Sequence, residues 1–102
     1  MFTQLTDADF EQVLAATASG VVIFFKKQCP HCKNMEKVLE KFAAKNPDVA
    51  LFSMDSEENP ATVERLEAER APTIIVIKNG AVAARKAGLM NPKEMEAFFA
   101  AA

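Results

Sequence analysis

The chain contains no tryptophan and no tyrosine, and only one histidine, two cysteines and three glycines among its 102 residues. Each scarcity excludes something. The two cysteines, Cys29 and Cys32, are too close in sequence to staple a fold, because the loop a bond would close between them is tiny. With one histidine beside them they also fall short of the four ligands of a structural zinc site, and no metal or other cofactor is expected. His31 lies between the cysteines, badly placed to complete a tetrahedron. Haem attachment needs His directly after the second Cys, where Lys33 stands. An excess of one charge is missing too: 12 Lys and Arg face 14 Asp and Glu, and no basic run exists to displace counterions from nucleic acid. Long apolar runs are absent: Val21–Phe25, for example, is far below the ~20 residues that span a bilayer. The start, Met-Phe-Thr-Gln-Leu-Thr-Asp, has neither the basic residues nor the apolar stretch of a secretory signal. A cytoplasmic monomer without membrane or nucleic-acid contacts is the expectation.

What is present suffices for a core. Half the residues are apolar, and a chain of this length makes one domain, residues 1–102. Short apolar runs alternate with amphipathic segments, which predicts an α/β layered fold. Residues 2–5 read as an edge strand. Thr6 reads as the N-cap of a helix over 7–17, with Phe10, Val13 and Leu14 on its buried face and Ser19-Gly20 ending it. Val21–Phe25 is apolar without alternation, as in a central strand covered on both faces. A helix over 30–45 follows, with Met35, Val38, Leu39 and Phe42 at helical spacing, stopped by Asn46-Pro47. Residues 49–54 form the next strand, and Asn59-Pro60 opens a helix with Asn as N-cap. Residues 73–77 form another buried strand. Asn79-Gly80 marks a hairpin, so that 81–87 runs antiparallel to it. Asn91-Pro92, with Glu94 three residues after the Asn, opens a C-terminal helix carrying Met95, Phe98 and Phe99.

The chemistry concentrates in Cys29-Pro30-His31-Cys32, at the predicted junction of a strand and a helix. The spacing brings two alpha carbons on one helical turn within disulfide range. The free amides of the first turn favour a thiolate at Cys29 over a thiol. Cys32 shares a face with Met35 and Leu39, so it is the shielded thiol, and Cys29 is the exposed attacking one. Pro30 suits the first helical position, where its missing N–H is no loss. An imidazolium at His31 and the nearby Lys26, Lys27 and Lys33 add positive charge beside the Cys29 sulfur, although Lys26 and Lys27 serve equally well to solubilise the strand end. Stabilising the thiolate stabilises the reduced pair: about 2.3 kcal/mol corresponds to roughly 50 mV for a two-electron couple. The pair is therefore expected to be more oxidising than an ordinary one of its kind.

Nearly the whole chain resembles the thioredoxin family. The matching stretches are Leu5-Thr6-Asp7 with Phe10 and Val13-Leu14, Val22–Phe25, Cys-x-x-Cys-Lys at 29–33, Asp55, Asn59-Pro60, Ala71-Pro72-Thr73, Lys78-Asn79-Gly80 and Gly88. The resemblance implies an α/β thioredoxin fold, a central mixed β-sheet of four to five strands flanked by about four helices. It implies a protein disulfide oxidoreductase that exchanges a Cys29–Cys32 dithiol with protein disulfide substrates and is regenerated by a thioredoxin reductase. It also implies that Pro72, by itself readable as an edge-strand proline, is cis and faces the cysteines. The backbone of Ala71 would then pair with an extended substrate segment, Gly88 would leave that groove open, and Gln28 would join the substrate surface.

The departures are as informative. Gln28 stands where the family usually has Trp, and Pro30-His31 where it usually has Gly-Pro. The family's buried acid falls at Ile23 and its partner lysine at about Leu51, which removes the usual acceptor for the Cys32 proton. The Pro-His dipeptide resembles that of periplasmic disulfide oxidases, without their helical insertion. The whole is similar to the atypical thioredoxins of sulfate-reducing bacteria known as desulfothioredoxins. Competing readings are a glutaredoxin-like reductase using glutathione, a non-catalytic binding module on the same fold, and an iron–sulfur or zinc carrier.

Overall fold

The computed structural model describes residues 2–102. Its elements run β1 (Thr3–Gln4), α1 (Phe10–Ala16), β2 (Ser19–Phe25), α2 (Pro30–Lys45), β3 (Ala50–Asp55), α3 (Pro60–Leu66), β4 (Thr73–Lys78), β5 (Ala81–Ala87) and α4 (Pro92–Ala101). The five strands form one mixed sheet in the order β1-β3-β2-β4-β5. β3 lies parallel to both β1 and β2, whereas β4 runs antiparallel to β2 and to β5.

The apolar runs find their place in the middle of this sheet. Val21 to Phe24 and Ile74 to Ile77 are buried on both faces, as strands without alternation require. On one face Val22, Phe24, Phe52, Met54, Ile75 and Ile77 pack under Phe10 and Leu14 of α1 and Val63 of α3. On the other, Val21, Ile23, Leu51 and Ile74 pack under Met35, Leu39 and Phe42 of α2 and Met95 of α4. The Asn79-Gly80 turn has positive φ at both residues, 55° and 76°, as a tight two-residue hairpin demands. Its amides donate to Ala18 O at 2.7 Å and Thr17 O at 2.8 Å, which ties the hairpin tip to the α1–β2 link. Asn91 and Glu94 form the expected capping box at the start of α4.

Three local expectations are corrected. The helical ladder of α1 begins at Phe10 rather than at residue 7. Residues 7–9 form a turn in which the Asp9 carboxylate accepts from the Thr6 amide at 2.7 Å, so Thr6 is not the side-chain cap. The helix ends at Ala16, and Ser19-Gly20 opens β2 instead of closing α1. Gly20 belongs in a strand here because Thr17 Cγ2 and the Phe52 ring press on the place a Cβ would occupy, at 2.8 and 3.1 Å. Finally, Asn59 precedes α3 but its side chain caps nothing. It is buried and bridges two loops, accepting from the Asp7 amide at 2.8 Å and donating to Asp55 O at 2.8 Å. The cap is supplied from 55 residues away: Asp7 Oδ1 accepts from the Thr62 amide at 2.9 Å, and Asp7 Oδ2 accepts from the Ala61 amide at 3.1 Å. Strand ends also move slightly, with β1 limited to Thr3–Gln4 and β3 reaching Asp55.

Candidate active site

β2 ends at Phe25, and the short Lys26–Gln28 segment carries the chain to α2 at the edge of the sheet. Cys29 is the N-cap of α2, in an extended conformation with Pro30 in the first turn. Its sulfur acts as the capping acceptor, taking the Cys32 amide N–H at 3.3 Å. A helix N-terminus presents this partial positive charge to whatever sits there, and it favours a sulfur anion over a neutral thiol. Cys29 and Cys32 form a disulfide with alpha carbons 5.3 Å apart, within the range the spacing predicts. The two sulfurs are unequally placed: Cys32 is 2% exposed, whereas Cys29 is only half-buried.

The chain segment opposite closes the site. The Ala71-Pro72 peptide bond is cis. The Ala71 carbonyl oxygen lies 3.7 Å from Cys29 Sγ, and the Pro72 carbonyl accepts from the Gly88 amide at 2.8 Å. Cys29, Ala71-Pro72 and Gly88, from three separate stretches of the sequence, thus meet at one edge. Gly88 has φ +101° and nothing within 4 Å of where a Cβ would stand, so the groove beside it is open. Leu89 follows at 46% exposure, one of two large apolar side chains left in solvent among the described residues. No sequence signal singled Leu89 out.

Gln28, Pro30, His31, Lys26 and Lys33 are all exposed around the cysteines. Lys27 is different. Its Nζ pairs with Glu58 Oε2 at 3.1 Å, so its charge is directed at the β3–α3 loop instead of at the sulfur. The hydrogen bond and the charge of Glu58, with the further charges of Asp55 and Glu57, raise the Lys27 pKa. Glu58 is therefore a neighbour of the site that sequence reasoning missed, since 31 residues separate the pair.

Beneath the cysteines the layer is apolar. Ile23 is fully buried between Ser53 of β3 and Ile74 of β4, and Leu51 is buried two residues before Ser53. Met35 Sδ accepts from the Met90 amide at 3.3 Å in the same layer. Along α2, Glu36 is half-buried, and desolvation first, then the neighbouring Glu40, raises its pKa against the opposing pull of Lys33. Among the described residues no three His, Cys, Asp or Glu side chains gather as a metal ligand set, and no helix is long and apolar enough to cross a membrane.

The thioredoxin family model matches residues 1–101. The chain belongs to the thioredoxin family. The thioredoxin of Staphylococcus aureus is 37% identical over 94 residues, covering 89% of this chain and 86% of that one. That of Alicyclobacillus acidocaldarius is 32% identical over 94 residues, covering 91% and 90%. Among solved structures, desulfothioredoxin from Desulfovibrio vulgaris Hildenborough in its reduced form superposes with a TM-score of 0.89 at 42% identity, covering 99% of this chain and 97% of that one. Mitochondrial thioredoxin 3 of Saccharomyces cerevisiae gives a TM-score of 0.88 at 26% identity, covering 99% and 95%. The five-stranded mixed sheet with four helices is the thioredoxin fold, and the chain is a thiol–disulfide oxidoreductase with a disulfide-capable Cys29–Cys32 pair.

Proposed function

We propose that the protein exchanges its Cys29–Cys32 dithiol with disulfides of other proteins in the cytoplasm, acting as a monomer and as a more oxidising couple than an ordinary thioredoxin. Cys29 attacks, a mixed disulfide forms with the client, and Cys32 resolves it. A thioredoxin reductase returns the pair to the dithiol. The observation that carries this reading is the inequality of the two sulfurs at the α2 N-terminus: Cys29 is half-exposed and caps the helix, and Cys32 is buried one turn below. The Ala71 backbone and the open space at Gly88 suit an extended client segment laid beside Cys29. Pro30 sets the helix start, and Gln28 and His31 form the exposed rim a client would touch.

The raised potential rests on the helix N-terminus and on His31, Lys26 and Lys33, with no buried acid at Ile23 to offset them. Equilibration with a glutathione redox buffer measures it. Because the chain has neither Trp nor Tyr, the readout is a gel shift after thiol alkylation. The expected value lies above the roughly −270 mV of ordinary thioredoxin. A value at that level would overturn the charge argument. The same alkylation assay with a thioredoxin reductase and NADPH, against glutathione alone, identifies the electron donor; reduction by glutathione alone would exclude the proposed one.

A further inference from the structure

Resolution of a mixed disulfide requires Cys32 to lose a proton while it is shielded from water, because the thiolate is the nucleophile. The apolar cluster packed under α2 offers no acceptor: Ile23, Leu51, Ile74, Met35 and Leu39 are all buried. Asp55 faces α2 from the end of β3, is buried, and has its Oδ1 engaged by the Glu57 amide at 2.9 Å. On α2 itself, one carboxylate stands a single turn from Cys32.

Glu36 lies four residues after Cys32. At 3.6 residues per turn its projection falls about 40° from Cys32 and about 20° from Cys29, on the edge between the buried and exposed faces. Side chains on a helix lean toward its N-terminus, so a carboxyl at 36 reaches back over the turn that holds Cys32. The roughly 5–6 Å between Cβ atoms at this spacing leaves room for one water between sulfur and carboxylate. The burial pattern agrees: Cys32 is buried, Glu36 is half-buried, and Lys33 and Glu40 on either side are exposed.

We propose that Glu36 accepts the proton of Cys32 through one water when the mixed disulfide is resolved. The inference rests on the reading of Cys32 as the resolving thiol. The Cys32 S–H bond breaks, its proton passes to the Glu36 carboxylate, and the Cys32 thiolate attacks Cys29 Sγ. The Cys29–Cys32 bond forms as the bond from Cys29 to the client sulfur breaks. The client sulfur leaves as thiolate and takes its proton from solvent, to which Glu36 later releases the one it holds. The client disulfide is reduced by two electrons and the cysteine pair is oxidised by two. In the opposite direction, Glu36 in its acid form returns the proton to Cys32.

The charges that bear on Glu36 come from its own helix. Glu40 and its own burial favour the protonated form, and Lys33 opposes them. α2 packs against β3 and α4. β3 faces it with Leu51, Ser53 and, at its end, Asp55. The α4 charges Lys93 and Glu96 lie beside Lys41 and Lys45 at the far end of α2. A carboxylic acid held above its usual range is closer to a thiol in proton affinity, which makes the transfer less uphill.

The test uses reduced protein and the aromatic disulfide dithiobis(nitrobenzoate), which reports both steps. Cys29 attack releases one coloured thiolate, and Cys32 resolution releases the second. Glu36→Gln is expected to leave the first release unchanged and to slow the second at least about tenfold at neutral pH. In the Gln variant the second rate should rise with pH up to the thiol's own ionisation, without the shallower dependence that an internal acceptor gives the native protein. Glu36→Asp should recover part of the rate. Thermal unfolding of the variants separates these effects from loss of fold. An unchanged second release and pH profile in Glu36→Gln would overturn the proposal. A native protein that releases only one thiolate would overturn the assignment of Cys32 on which it stands.

Discussion

The two faces of the sheet treat buried polarity in opposite ways. On the α1–α3 side, Asn59, Thr62 and Thr17 are buried, each with a hydrogen-bond partner. Asn59 joins the turn before α1 to the end of β3, and Asp7 joins the same turn to the first turn of α3. On the α2–α4 side the core is hydrocarbon and thioether, with the buried Asp55 at its margin, at the end of β3. Polar groups buried with partners fix the arrangement of loops, and their loss is costly. A layer without them leaves the ionisation of the sulfurs to the helix terminus and to groups at the rim. Structure is secured on one face, and redox chemistry is tuned at the edge of the other.

Placing an acid in the apolar layer breaks the contrast most severely. Ile23→Asp buries a carboxyl with apolar neighbours and no partner, and the expected loss is roughly 3 kcal/mol or more in chemical denaturation at neutral pH. The loss should shrink as pH falls, because the new acid's pKa is raised by burial and its neutral form is less costly to bury. An Ile23→Asp variant as stable as the native chain would mean that the layer admits water.

The opposite face is broken by Asn59→Ala. The substitution removes an acceptor from the Asp7 amide and a donor from the Asp55 carbonyl, both at 2.8 Å. Leaving such groups unpaired costs about 2–3 kcal/mol. The potential of the cysteine pair should stay where it was, because Asn59 belongs to the other face. A shifted potential in this variant would join the two faces that the structure separates.

Asp7→Ala removes the remote cap of α3 and is expected to cost about 1 kcal/mol. Desolvation pulls the Asp7 pKa upward, but hydrogen bonds from the Thr62 hydroxyl, the Thr62 amide and the Ala61 amide outweigh it and hold the carboxyl below its ordinary 3.8. With the folded value depressed, the stabilising contribution is present above that ordinary value and is lost as pH falls through the folded one. The gap between native and Asp7→Ala chains should therefore close in acid, which denaturant titrations at pH 7 and near pH 3 check.

These residues also mark what was legible in the sequence. Asn79-Gly80, the Asn91–Glu94 box and the unbroken apolar runs of β2 and β4 are local signals, and the structure realises them as read. The strand–helix junction at Cys29 was legible for the same reason, since a Cys-Pro at a helix start needs no distant partner. The start of α1 was not, because Asp7 and Asn59 satisfy each other's segments across more than 50 residues. Gly20 misleads locally in part for a similar reason: besides Thr17, the Phe52 ring that crowds its Cβ position comes from another strand. Near the cysteines, the lysine cluster reads as uniform positive charge, and only the fold brings Glu58 beside Lys27.

That pair supplies the smallest expected effect. Both partners are well exposed, at 69% and 60%, so Glu58→Gln should not measurably change stability. It frees the Lys27 ammonium from its partner two residues before Cys29. The expected result is a modestly faster alkylation of Cys29 by iodoacetamide at low ionic strength, since extra positive charge favours the thiolate. The difference should vanish in molar salt, where screening acts over about 3 Å. Equal rates in both salts would mean that Lys27 contributes nothing to the sulfur whether paired or free. The charge at the rim would then reduce to His31, Lys26 and Lys33 with the α2 terminus.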